Sequence, residues 1–215
     1  MRRTSAGRGM TGTPTNVQTP LGAWHDLGDM RRHAILALTT AGLAAVAAGC
    51  GGTSSNDTTS PAATKPSGRY PAAGISFTPP SGWSTDNGRG KLVATVQAGQ
   101  ATVAVWRYPR QQRLPKSQAE LKAARDALLA AERQRDASFA EIKTAPTTIA
   151  GMPAVQIRAR ETIAGQPRTV RSTHIYAHGA EIIVDAYADA DSFRQIDAKV
   201  FRPLLRSLQV SQPKA

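Results

Sequence analysis

The sequence is poor in aromatic residues, with four Phe, four Tyr and three Trp in 215 residues. A core built from it must rest on Val, Ile, Leu and Ala, which still hold a domain of well over ~100 residues without metal or disulfide staples. Cysteine occurs once, at position 50, which excludes an intrachain disulfide framework. No apolar run reaches the ~20 residues that a helix needs to cross a bilayer. There is no G-x-S-x-G nucleophile turn and no G-x-x-x-x-G-K-[ST] phosphate loop. The carboxylates Glu161, Glu181 and Asp185 are scattered, with no glycosidase-like pairing to argue from. The sequence therefore predicts a protein that is not an enzyme and uses no cofactor.

Acidic residues are also scarce, 15 against 27 basic, for a formal net charge of +12. The part after Cys50 keeps 22 basic and 13 acidic residues, a net +9. That sign favours anionic envelope material, whereas an exported chain does not ordinarily meet nucleic acid, and none is expected as a partner. Solubility alone accounts for the same charge, and this plainer reading is preferred.

What is present divides the chain in four. Residues 1–29 are rich in Gly, Thr and Pro, lack an apolar run, and form an unstructured or non-native leader. Met30-Arg31-Arg32-His33 is a basic start followed by an apolar stretch from Ala34 to Gly49, so residues 30–49 read as a signal peptide. Met30 opens that signal unaided, and translation is expected to start there. Ala47-Ala48-Gly49-Cys50 resembles a lipobox, in which the cysteine is acylated after cleavage. The small residues Ala48 and Gly49 fit that pattern, while Ala47 stands where Leu is commonest. Lipidation at Cys50 explains a lone cysteine in an exported chain, and two or more acyl chains hold a protein stably where one does not. Residues 50–69 are expected to form a disordered tether; Gly51 to Arg69 has no large apolar residue and an expected root-mean-square reach of ~25 Å.

From Tyr70 to about residue 211 the pattern is that of a folded domain. Lys91–Ala98 and Ala101–Tyr108 alternate around Gly99-Gln100, a hairpin signature. Ser117-Gln118-Ala119-Glu120 is a capping box, and the helix it starts is expected to reach about Phe139 with Leu121, Ala124, Leu128 and Ala131 inward. Lys122, Arg125, Asp126, Glu132, Arg133, Arg135 and Asp136 read as its solvated side. Three strands follow: Ile149–Glu161 (broken near Gly151), Arg168–His178 and Glu181–Ala188. Asp189 or Asp191 is placed to cap a final helix with an apolar stripe through Phe193, Ile196, Val200, Phe201, Leu204, Leu205 and Leu208. Pro203 predicts a kink or break in it. The class is α+β, an antiparallel sheet flanked by helices.

Two groups of polar residues have the composition of sites. His174 and His178, with Glu181 and Asp185 across a hairpin, are zinc or copper ligand types, but a solvated sheet face is the preferred reading and no metal is expected. Arg158, Arg160 and Arg168 are expected to share a sheet face with His174 and Tyr176, as a candidate anion-binding surface, because guanidinium forks hold phosphate and carboxylate groups. A solubilising surface is again the plainer alternative. Arg107, Arg110, Arg113 and Lys116 crowd the link ahead of the helix with no acid among them.

The order of motifs resembles a known group. Ile75-Ser76-Phe77-Thr78-Pro79-Pro80-Ser81-Gly82-Trp83 is similar to the opening of PsbP-like domains. Ile149-Ala150-Gly151-Met152-Pro153-Ala154-Val155 is similar to their Gly-x-Pro-Ala strand, and Phe201 to Val210 to their closing helix and exit. Actinobacterial LpqN-type lipoproteins, which place this domain behind a lipobox and a Ser/Thr/Pro tether, come nearest. The resemblance implies a sheet flanked by helices that serves as an accessory module; it transfers no functional residue. The resulting expectation is a lipid-anchored protein on the extracytoplasmic face of the cell membrane. There it acts as a non-catalytic binding or accessory module for an envelope protein or transporter. The alternative is a carrier or sensor of an anionic lipid or glycolipid, and a hydrolase ranks third.

Overall fold

The computed structural model describes residues 68–214. The leader, the signal segment, Cys50 and nearly all of the tether lie outside the described residues. In chain order the elements are β1 (Arg69–Tyr70), β2 (Ile75–Ser76), β3 (Ser84–Asn87), β4 (Leu92–Ala98), β5 (Ala101–Pro109) and α1 (Gln118–Arg135). There follow β6 (Ala140–Ile149), β7 (Met152–Ile163), β8 (Gln166–Ala177), β9 (Ala180–Ala188), α2 (Ala190–Ile196), α3 (Arg202–Ser207) and β10 (Gln209–Val210). Seven strands form one sheet in the order β3-β4-β5-β9-β8-β7-β6, and β1, β2 and β10 form a small second sheet. The pairing in both is antiparallel.

Three hairpins turn in the same way. Ala150-Gly151, Ala164-Gly165 and His178-Gly179 each link two strands, and both residues of each pair have positive φ, from 48° to 76°. Paired left-handed residues give a turn whose twist matches that of the strands, and glycine reaches it without steric cost. The strand expected over Ile149–Glu161 is therefore a correction. Gly151 does not interrupt one strand but closes a hairpin, and β6 precedes it.

α1 covers one face of the sheet. Its capping box is formed as expected, with the Ser117 hydroxyl accepting from the Glu120 N–H and the Glu120 carboxylate accepting from the Ser117 N–H. Leu121, Ala124, Leu128 and Leu129 pack on Val155, Ile157, Ala159 and Tyr176. The helix stops at Arg135, short of Phe139, because the Asp136 carboxylate turns to accept the backbone N–H groups of Ser138 and Thr162 at 2.8 and 2.9 Å. Glu132, expected in solvent, is buried and held by Arg135.

The closing helix covers the other face. Phe193, Phe201, Leu204 and Leu205 pack on Val96, Val103, Val105, Ile175, Ile182 and Val184. The expected break takes the form of a π-helical segment, Asp197–Phe201, just before Pro203. A wider turn there relieves the missing donor and places Asp197 against the sheet. Arg171 of β8 donates to both Asp197 carboxylate oxygens at 2.6 and 2.8 Å. Among the described residues, the buried residues of these clusters lie between Ile75 and Leu208.

Candidate functional site

The register of β8 with β9 gathers polar side chains on the α1 face. Ser172 stands opposite Asp185, Tyr176 opposite Glu181, and His174 between them. His174 Nδ1 is 2.7 Å from Glu181 Oε1, and its Nε2 is 3.0 Å from Ser172 Oγ. Ser172 donates its hydroxyl to Asp185 Oδ1 at 2.6 Å, and the Arg110 guanidinium closes the other end on Glu181. Burial acts to raise the Glu181 pKa, but the hydrogen bond and charge of His174, with those of Arg110, outweigh it and hold the group below its ordinary value. Burial and the Glu181 charge push the Tyr176 phenol well up.

Ser172, His174 and Glu181 have the connectivity of a hydrolase triad, which the sequence motifs did not reveal. The arrangement nevertheless lacks what a nucleophile requires. The single Ser172 hydroxyl hydrogen is committed to Asp185, so it is not aimed at His174 for abstraction. Ser172 sits mid-strand rather than on an exposed turn, and it, His174 and Glu181 are each 2% exposed or less. Both His174 ring nitrogens are occupied, which leaves neither for a metal. His178 lies in the β8–β9 turn, outside this chain of contacts. Among the described residues no group of three or more His, Cys, Asp or Glu is placed to hold a metal ion.

Beside this network lies a cavity of about 570 Å³. Its floor is Ala104, Trp106, Val170, Asp185 and Tyr187 of the sheet; its rim is the end of α1, Arg135 to Ser138, and the β7–β8 turn from Glu161 to Gly165. The cavity exists because α1 packs over β6, β7 and β8 and stops at Arg135, leaving the ends of β5 and β9 beyond its cover. Three carboxylates line it, Asp136, Glu161 and Asp185, against one guanidinium, Arg135. Arg135 binds Glu161 at 3.4 Å and also Glu132. The Trp106 indole N–H is buried without an acceptor, and burial pushes the Tyr187 phenol up. Such a mixture of aromatic surface and a few convergent polar groups is the usual make-up of a small-molecule pocket.

The three arginines expected together are divided, which corrects that expectation. Arg168 pairs in register with Glu161, one residue on from Arg160, so it faces the α1 side while Arg158 and Arg160 face the α2–α3 side. Arg168 is bound to Asp189 and donates to Gln100 at 2.8 Å. That ion pair takes the Asp189 carboxylate away from the helix cap expected of it. Arg158 lies over the Phe193 ring at 5.6 Å, and Arg160 is exposed. His174 and Tyr176 are on the opposite face from Arg158 and Arg160. The crowd ahead of α1 is dispersed too: Arg107 donates to the His178 carbonyl at 3.0 Å, and Arg113 pairs with Glu120 at 3.2 Å.

No family model and no curated protein matches the chain. Solved structures do. The solution structure of cyanobacterial PsbP (CyanoP) from Synechocystis sp. PCC 6803 overlays at a TM-score of 0.51 and 16% identity, covering 65% of this chain and 88% of that one. LpqN of Mycobacterium tuberculosis, described as involved in cell envelope biogenesis, overlays at 0.46 and 14% identity, covering 64% and 83%. At such identities the first of these likenesses is one of fold, and the fold is PsbP-like.

Proposed function

We propose that this chain is a lipid-anchored, extracytoplasmic and non-catalytic binding module that holds a small amphiphile in the cavity beside α1. It serves there as an accessory to an envelope protein or transporter. The observation that carries the reading is the cavity of about 570 Å³ with Trp106 and Tyr187 on its floor. Its size suits a small ligand, and aromatic floors offer apolar area with a polar edge. The reactive-looking Ser172–His174–Glu181 chain lies buried under hydrogen bonds, which speaks against hydrolysis.

The lining also narrows the ligand. Three carboxylates against one guanidinium repel an anion, so an uncharged, hydroxyl-bearing glycolipid head fits better than the head of an anionic lipid. Hydroxyls donate to carboxylates. The test is a titration of the soluble chain from Gly51 onward with a neutral alkyl glycoside, followed by tryptophan fluorescence. Saturable change that disappears in Trp106→Phe supports the reading. No saturable change with any neutral or anionic amphiphile overturns it.

A further inference from the structure

A second concavity has the opposite charge. An open groove of about 1590 Å³ runs between the small sheet, the Pro79–Trp83 loop and the start of α3, and it shares no residue with the cavity beside α1. Its charged lining residues are Arg69, Lys199 and Lys214, with no Asp or Glu among them. All three cations are exposed, and none makes an ion pair among the described residues. Elsewhere Arg113, Arg133 and Arg202 are answered by Glu120 at 3.2 Å, Glu141 at 2.9 Å and Asp197 at 3.5 Å, while Arg89, Arg160, Arg194 and Arg206 are exposed without an ion pair among the described residues. Two half-buried aromatics, Tyr70 and Trp83, complete the groove. Burial, and after it the charge of Asp86, raise the Tyr70 pKa.

The described residues begin at this groove. Gly68 has φ +53°, and a Cβ there would lie 2.2 Å from the Phe77 carbonyl oxygen and 2.9 Å from Pro79 Cδ, so only glycine fits at that position. Arg69, the next residue, is already part of the lining. The end of the chain returns to the same place, where the Lys214 N–H donates to the Pro71 carbonyl at 2.9 Å. Gly68 is eighteen positions beyond Cys50 in the sequence.

We infer that this groove is a docking surface for the anionic phospholipid headgroups of the membrane in which the chain is anchored. The inference rests on the lipid-anchor reading of Cys50 for its geometry. Cations near an anionic leaflet each favour binding by roughly fivefold, and Trp and Tyr side chains settle at the level of the headgroups. The tether expected from the sequence, with a reach of ~25 Å, would keep the groove at high effective concentration near that surface, so a weak docking interaction is sufficient. Docking would hold the domain in one orientation on the bilayer instead of leaving it free on its tether.

The experiment is co-sedimentation of the chain from Gly51 onward, checked first for a cooperative melt, with vesicles of phosphatidylcholine alone or mixed with phosphatidylglycerol. Binding is expected only with phosphatidylglycerol present, and it should weaken steeply with added salt. Arg69→Ser, Lys199→Ser and Lys214→Ser together should lower that affinity by about a hundredfold. The charge-keeping pair Lys199→Arg and Lys214→Arg should bind like the parent, as should Arg158→Ser with Arg160→Ser on the sheet. Lys199→Glu alone, at an exposed position, provides the same reading at about fivefold or more should the triple variant misfold. Equal binding to both vesicles, no binding to either, or undiminished binding by the folded charge-removing variants overturns the docking surface. Acylation at Cys50 is read separately by fatty-acid labelling, so either idea can fail while the other stands.

Discussion

Arg171 of β8 grips both carboxylate oxygens of Asp197 at 2.6 and 2.8 Å, and both side chains are 9% exposed. This bidentate pair joins the middle of the sheet to the π-helical segment of the closing helix. Removing one partner would strand a buried charge. Asp197→Ala should cost about 3–5 kcal/mol in chemical denaturation, whereas Arg113→Ala at an exposed pair should cost only ~0–1 kcal/mol. Equal small losses in the two variants would show that the buried pair does not hold the helix down.

Acid should destabilise the fold through named carboxylates. Glu181 and Asp136 are held below their ordinary values of 4.5 and 3.8, and Glu120 is lowered from 4.5 to about 2 by the N–H groups of Ser117 and Lys116. A depressed folded pKa gives stability that is complete above the unfolded value and is lost as pH falls through the folded one. Thermal melts stepped from neutral pH to about pH 3 should therefore show a falling midpoint below the unfolded values. Glu181→Gln should flatten part of that fall. A midpoint that rises on acidification contradicts the assignment.

Cys50 lies outside the described residues, and its role is read from its place after Ala47-Ala48-Gly49. Growth with labelled palmitate should mark the parent protein and leave Cys50→Ala unlabelled. A labelled variant would place the acyl group elsewhere.

Met30 should serve as the start of a complete export signal. Deleting residues 1–29 is expected to leave export and acylation unchanged, as read by membrane fractionation and the same label. Loss of export on that deletion would assign the leader a role.

The central elements were legible because they are rich in apolar residues. β5 and β9 are buried almost throughout, α1 announces itself by Ser117 and Glu120, and the closing stripe from Phe193 to Leu208 has helical spacing. The two edge strands were not. β3 reads Ser84-Thr85-Asp86-Asn87, and β6 carries Pro146 and leaves Ile142 45% exposed. Edge strands need little apolar surface and tolerate proline, so alternation is weak there. Missing β6 turned the Ala150-Gly151 turn into an apparent strand break. The face shared by Arg158, Arg160 and Arg168 failed for a related reason, since register across a hairpin decides the side and no spacing within one strand fixes it. His174, Glu181 and Asp185 read as a group from the sequence, but Ser172 joins them only through cross-strand pairing. The cavity depends on where α1 stops, which is set by Asp136 capping Thr162 twenty-six residues away.

The claim that the cavity beside α1 holds an amphiphile is tested most directly by native mass spectrometry of the protein gently extracted from its own membrane. Ala104 is 4% exposed on the cavity floor, and Ala104→Phe should fill the space. The account predicts a parent protein carrying a neutral glycolipid adduct, and an Ala104→Phe protein that keeps a cooperative melt but lacks the adduct. A parent with no adduct, or one retained equally by folded Ala104→Phe, would contradict it.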